Sequence, residues 1–172
     1  MDTSQAFLGL IEARPGYGYE LKQRYDDYFG AERALKFGQV YAMLARLERD
    51  ELIVMDGVEE GGGPNRKRYR GLPAGRERVR QWLTQPDEET MGRSNLFAKV
   101  VVSLLLDEDA VRLLALHRSI LLDTMRRLTR AKQGAELLDV LAYDQSLFRV
   151  EADLRWIDTT EARLNDLKES LR

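Results

Sequence analysis

No cysteine occurs among the 172 residues, and His117 is the only histidine. The first absence removes disulfide staples, zinc fingers and thiol redox chemistry, and the second leaves no histidine cluster to hold a metal. Long apolar runs are missing too. The longest, Val100 to Leu106 with Ser103 inside it, is far short of the ~20 residues that a membrane helix needs. The start, Met1-Asp2-Thr3-Ser4-Gln5, lacks the basic opening of a secretory signal. Gly61-Gly62-Gly63-Pro64 does not continue into the glycine-lysine-serine/threonine of a phosphate loop, and no nucleophile elbow is present. The acidic pairs Asp26-Asp27 and Glu59-Glu60 read as solvated. The expectation is a cytoplasmic protein with no membrane segment, no catalysis, no cofactor and no metal.

What is present is concentrated between residues 38 and 70. Gly38 to Asp50 has the period of an amphipathic helix, with Val40, Leu44 and Leu47 on one face and Gln39, Ala42, Arg46 and Arg49 on the other. Leu52-Ile53-Val54-Met55 and Arg68-Tyr69-Arg70 have strand composition, and Gly61-Gly62-Gly63-Pro64-Asn65 between them is tolerated only by a loop. From Arg66 to Arg80 the chain carries Arg66, Lys67, Arg68, Arg70, Arg76, Arg78 and Arg80 against the single acid Glu77, although the whole protein has a formal net charge of −2. Local positive charge in an acidic protein suits a polyanion. A basic hairpin alone is also explained as a solvated edge that discourages aggregation. Helix and hairpin together are the parts of a winged helix-turn-helix, one for the major groove and one for phosphate.

The rest of the chain reads as helix: residues 4 to 13, stopped by Pro15-Gly16; about Tyr17 to Phe29, ended by Gly30; and Ala74 to Thr84 after the hairpin. Residues 85 to 92 break periodicity with Pro86 and a run of acids. Beyond them Ser94 to Leu106 is apolar on several faces, as if buried between partners. Asp107-Glu108-Asp109 suits the start of a further helix reaching about Lys132, before Gly134. Tyr143, Leu147, Val150, Leu154 and Ile157 then recur at alternating fours and threes, followed by Leu164 and Leu171 at sevens, the seam of a coiled coil. The fold class expected is mainly α (α+β), with a winged helix-turn-helix domain over 1–85, a linker over 86–93 and a helical dimerisation domain over 94–172. A helix packed only on its own chain is the alternative to the dimer.

Three ordered blocks carry a resemblance: Pro15-Gly16-Tyr17-Gly18-Tyr19-Glu20-Leu21, Gln39 to Glu48, and Arg68-Tyr69-Arg70-Gly71-Leu72-Pro73-Ala74-Gly75-Arg76, ending in Gln81-Trp82-Leu83. Together they resemble the PadR family of bacterial transcriptional regulators. The second half, from Phe97-Ala98-Lys99-Val100 onward, is similar to the virulence-activator-type dimerisation domain of the larger PadR subfamily and of AphA-like regulators. Two departures stand out. The residue before Gly-Tyr-Glu is often histidine in the family and helps to hold the effector in phenolic-acid-responsive members, whereas here it is Tyr17. The family usually has threonine before the helix that follows the second wing strand, whereas this chain has Pro73, whose fixed backbone angle still suits a first helical turn.

These readings imply a homodimer on double-stranded DNA, with an inverted-repeat operator whose halves lie about one helical turn apart. Gln39 offers an amide for adenine, Tyr41 and Arg46 are placed for bases or phosphates, and Lys36, Arg66, Lys67 and Arg68 for phosphate. The matching tyrosine faces DNA in the family, and repression is the family's usual mode. An aromatic or hydrophobic small-molecule effector would find Tyr17, Trp82, Phe97, His117, Phe148 and Trp156 as its candidate pocket, although aromatics at helical spacing are more often core. A protein-protein interaction module on the same surfaces and a MarR-type regulator remain open as alternatives.

Overall fold

Eleven elements follow one another along the described residues in the computed structural model, which describes residues 2–59, 66–85 and 95–171. They are α1 (Thr3–Ala13), β1 (Gly16–Tyr17), α2 (Gly18–Arg33), α3 (Phe37–Arg49), β2 (Ile53–Glu59), β3 (Arg66–Gly71), α4 (Pro73–Thr84), α5 (Leu96–Leu105), α6 (Ala110–Lys132), α7 (Leu137–Glu161) and α8 (Leu164–Ser170). The glycine-rich hairpin tip and the expected linker at 86–93 lie outside the described residues. The chain divides into two compact units, Met1–Glu108 and Asp109–Arg172.

In the first unit α1 is the central element, with Ala6, Phe7, Leu8, Leu10 and Ile11 all buried. Asp2 caps it by accepting the N–H groups of Ser4 and Gln5, which satisfies donors that a helix start leaves orphaned. Around it the three strands form an antiparallel sheet in the order β1-β3-β2. Gly16 and Tyr17 pair with Tyr69 and Arg68, and β2 runs against β3 from Ile53 opposite Gly71 to Glu59 opposite Arg66, with a bulge between Met55 and Gly57. The two-residue β1 has no periodicity of its own and was not expected from the sequence. Pro73 stands at the first turn of α4 as anticipated, but the residue before the helix is Leu72, which offers no side-chain cap.

Two boundaries differ from the sequence reading. Gly30 does not end α2, which continues to Arg33. Instead, the Asp26 carboxylate holds the Leu35 N–H at 2.9 Å, so the stop is made beyond the glycine. The second difference concerns α5, whose apolar sequence suggests a place in the helical half, buried between partners. It belongs to the first unit, with Leu96, Ala98, Val100, Val101 and Val102 buried in the single chain. A Cβ on Gly9 would lie 2.5 Å from a methyl carbon of Val102, so the missing side chain lets α1 and α5 approach closely. Phe97 meets Phe29 edge-on at 6.0 Å, and the buried Lys99 ammonium donates to the Gln85 carbonyl at the end of α4. Cations favour that end of a helix.

Helices α3 and α5 end alike, each on a non-glycine residue in the left-handed region: Glu51 at φ 55° and Asp107 at φ 52°. The Leu52 N–H reaches the Leu47 carbonyl and the Glu51 N–H that of Glu48, while Glu108 and Asp107 do the same to Ser103 and Leu104. This double bond pattern closes a helix end, and glycine normally supplies it. In the second unit Gly134, at φ 75°, ends the connection after α6 in the expected way.

The second unit is an antiparallel pair of long helices with α8 appended. Arg118 of α6 pairs with Asp158 and Glu161 of α7, and Lys132 pairs with Asp144 near the turn. The covered side of α7 carries the residues expected to form an interchain seam: Val150 and Ile157 are buried and Tyr143, Leu147 and Leu154 partly so, with Leu164 buried in α8. That seam is therefore largely occupied within one chain. The opposite side of α7 is also apolar, with Leu137, Leu138, Leu141 and Phe148 exposed.

Candidate nucleic-acid interface

The helix-turn-helix is set by a small group of side chains at the α2–α3 turn. Asp26 of α2 accepts from Lys22 one turn earlier and from the Leu35 N–H, and Lys22 also stands over the Phe37 ring, 5.0 Å from its centroid. Burial opposes ionisation of Asp26, but the Lys22 and Leu35 hydrogen bonds and the Lys22 charge outweigh it and hold the carboxyl below its usual range. Asp26, read from sequence as solvated, is the residue that fixes where α3 begins.

Helix α3 buries Val40, Leu44 and Leu47, as its spacing predicts, and presents the other face to solvent. On that face lie Lys36, Phe37, Gln39, Tyr41, Ala42, Ala45, Arg46 and Arg49, all exposed. Tyr41 is 53% exposed, so its ring is not core; its edge lies over Gly18, where a Cβ would come within 3.0 Å. Gln39 is partly committed: its Oε1 accepts the Lys36 N–H at 2.9 Å, capping the helix. The paired contact to adenine expected from the sequence requires this oxygen to leave the cap, whereas the amide nitrogen can act without doing so. The spacing Lys36-x-x-Gln39 fits the backward half of a capping box, a signal the sequence contained. Arg46 lies 3.9 Å from Asp50, and Arg49 is 3.1 Å from the same carboxylate.

Strand β3 supplies the second surface. Tyr69 points inward and is buried, and burial, with Glu48 and Tyr41 close by, raises its phenol above the ordinary value. Lys67, Arg68 and Arg70 are exposed. Arg70 is held by Asp56 at 3.1 Å, across the bulge, whereas Lys67 and Arg68 have no ion pair among the described residues. Two exposed cations without an ion pair among the described residues, on the wing strand that follows the helix-turn-helix, are suited to neutralising phosphates. The Arg66 side chain lies outside the described residues.

The six aromatic candidates for an effector pocket divide between the two units, Tyr17, Trp82 and Phe97 in the first and His117, Phe148 and Trp156 in the second. Tyr17 stacks on Tyr19 at 6.3 Å; Trp82 is buried with Lys99 5.8 Å from its ring centre; Phe97 packs on Phe29. His117 is buried in the second unit with Nδ1 3.0 Å from the Leu113 carbonyl. Phe148 is 67% exposed and Trp156 half-buried. Two cavities open on the first unit. One, of about 290 Å³, is lined by residues that include Glu12, Arg76, Arg80, Leu105 and Glu108; the other lies beside Glu48, Glu51, Ile53 and Pro73. None of the six aromatic residues lines either cavity.

A helix-turn-helix followed by a two-stranded wing, with an exposed helix face and exposed cations on the second wing strand, defines a winged-helix domain. Residues 7–81 match the model of the transcriptional regulator PadR-like family. Solved structures similar to the chain include Bacillus subtilis PadR in complex with operator DNA, at 19% identity over 94% of this chain and 98% of that one, with a TM-score of 0.45. The PadR-like regulator BC1756 from Bacillus cereus is 21% identical over 97% and 96%, at 0.43, and the Vibrio cholerae virulence activator AphA is 20% identical over 96% and 99%, at 0.42. None of the curated proteins matches the chain.

Proposed function

We propose that the chain is a PadR-like regulator that acts in the cytoplasm as a homodimeric, sequence-specific DNA-binding repressor, with α3 in the major groove and β3 on the phosphate backbone. The observation that carries this reading is the pairing of an exposed α3 face, bearing Gln39, Tyr41 and Arg46, with Lys67 and Arg68 on β3, which have no ion pair among the described residues. The match of residues 7–81 to the PadR-like family model supports the same reading.

The second copy is assigned to the exposed side of α7. Leu137, Leu138, Leu141 and Phe148 are four large apolar side chains left largely in water, with Leu138 79% exposed. Large apolar side chains exposed on one face of a helix suit an interface. The seam residues Tyr143, Leu147, Val150 and Leu154 support the α6–α7 pair that presents it. Two-fold symmetry then requires an inverted repeat. A small-molecule effector is part of the proposal only as a ligand that favours one half-site spacing over another; a B. subtilis PadR has been solved with p-coumaric acid.

Footprinting on the DNA upstream of the protein's own gene tests the proposal. Protection of two symmetric half-sites supports it. Binding to no duplex by an intact dimer refutes it and favours the protein-partner alternative.

A further inference from the structure

The Glu12 side chain, near the end of α1, is only 3% exposed, although it carries a carboxylate. Its surroundings explain how it fits there. A Cβ built on Gly71, the last residue of β3, would lie 1.7 Å from Glu12 Oε1, and its three nearest neighbours would all be atoms of the Glu12 carboxyl group. A Cβ on Gly75 of α4 would lie 2.9 Å from the same oxygen. Arg76, mostly exposed, closes the carboxylate from outside at 3.6 Å. Oε1 has no hydrogen-bond partner among the described residues. The carboxyl group thus occupies space that two missing side chains leave open, and it touches α4 and the strand that carries Lys67 and Arg68.

We propose that Glu12 is a positioning residue for the wing: its carboxyl group stands in for the side chains absent at Gly71 and Gly75 and keys the end of β3 and the start of α4 to α1. The consequence for DNA binding rests on the function proposed above, whereas the keying itself does not. A buried charge paired with one exposed arginine is a poor source of stability, so its role is placement. Cβ geometry also separates the two glycines. The three nearest contacts at Gly71 are all Glu12 atoms, whereas a Cβ at Gly75 meets the Leu52 backbone carbonyl oxygen at 2.2 Å, which no change at Glu12 relieves.

The test is a pair of double-mutant cycles on the full chain, read by denaturant unfolding and by the backbone amide resonances of Lys67 and Arg68. Gly71→Ala is expected to raise the unfolding constant about tenfold or more, and adding Glu12→Ala to recover most of that loss, a coupling typical of side chains in contact. Gly75→Ala is expected to remain impaired with or without Glu12→Ala. The Lys67 and Arg68 resonances should shift in Glu12→Ala and return in the isosteric Glu12→Gln. Gly71→Ala that is harmless, or not rescued, overturns the proposal, as do wing resonances unmoved in Glu12→Ala. If the wild-type protein binds no duplex while the cycle and the resonances behave as stated, DNA binding fails and the keying stands.

Discussion

The carboxylate of Asp26 accepts the backbone N–H of Leu35 at 2.9 Å, nine positions along the chain and on the far side of the turn between α2 and α3. This bond, with Lys22 on Asp26 and over Phe37, fixes the start of the helix whose exposed face is proposed to read DNA.

Replacing Asp26 with Ala is expected to cost ~1 to 3 kcal/mol, because it removes a charged acceptor and leaves a part-buried N–H unpaired. The carboxyl is held below its usual value, so its contribution is complete above the unfolded pKa and is lost as pH falls through the folded one. Urea unfolding of wild type and variant from neutral pH to below 4 checks this. A gap that does not narrow in acid would remove the ionised form from the explanation.

Gln39→Ala has two effects to separate. Losing the bond to the Lys36 N–H should lower stability by ~0.5 to 1 kcal/mol, as loss of a helix-end bond does. Losing a base contact should cost a further ~1 to 3 kcal/mol at the operator but little on random DNA. Calorimetry on the free protein and titration of both duplexes distinguish the two. A stability loss with equal effects on both duplexes would leave Gln39 as a cap alone.

Arg68→Ala should weaken binding to all sequences alike and reduce the salt slope by about one phosphate, with stability changed by no more than ~0.5 kcal/mol, as at other exposed sites. Arg70→Ala should change the slope less, because Asp56 already holds that guanidinium. Binding isotherms at several salt concentrations provide the comparison. Equal slopes in wild type and Arg68→Ala would take Arg68 off the phosphate contacts.

On α7, Leu141→Asp and Phe148→Asp should dissociate the dimer while leaving helicity intact, whereas Val150→Asp should unfold the α6–α7 pair by burying an unpaired charge. Sedimentation together with circular dichroism reads both. A dimer that survives both exposed-face changes contradicts the assignment of that face.

Glu12 supplies the opposite pH dependence to Asp26. Burial raises its carboxyl above the ordinary value of 4.5, against the charge and hydrogen bond of Arg76; Arg80, Asp107 and Glu108 line the same cavity. A raised carboxyl stabilises the fold only while protonated, so its contribution is present in acid and is lost as pH rises through the folded pKa. Glu12→Gln is therefore expected to be more stable than wild type at neutral pH, with the advantage fading below about pH 4.5. A variant less stable at neutral pH would show that the Arg76 pair outweighs burial.

The sequence made the winged domain legible because its parts are local. Val40, Leu44 and Leu47 set the buried face of α3, and Ile53 to Met55 and Arg68 to Arg70 lie in the paired strands. What it hid depends on contacts between distant residues. The position of α5 follows from Gly9 against Val102, β1 from pairing with Tyr69 and Arg68, and the α2–α3 turn from Asp26. Helix α7 misled for a different reason. It is apolar on two opposite sides, and the regular fours and threes from Tyr143 to Ile157 mark the side covered in the single chain, not the exposed side. In the interface, the exposed helix face and the basic strand were readable, whereas the helix-capping role of Gln39 and the Arg70–Asp56 pair emerged only from the geometry.

The most direct test of the central claim is a titration of the upstream duplex and a scrambled duplex with wild type and with a Lys67→Ala/Arg68→Ala variant, across a range of salt. The expected result is tighter binding to the upstream duplex, a steep salt slope for wild type, and a slope shallower by about two phosphates in the variant. Binding without preference for any upstream sequence, or an identical slope in both proteins, would contradict a sequence-reading α3 beside a phosphate-binding β3.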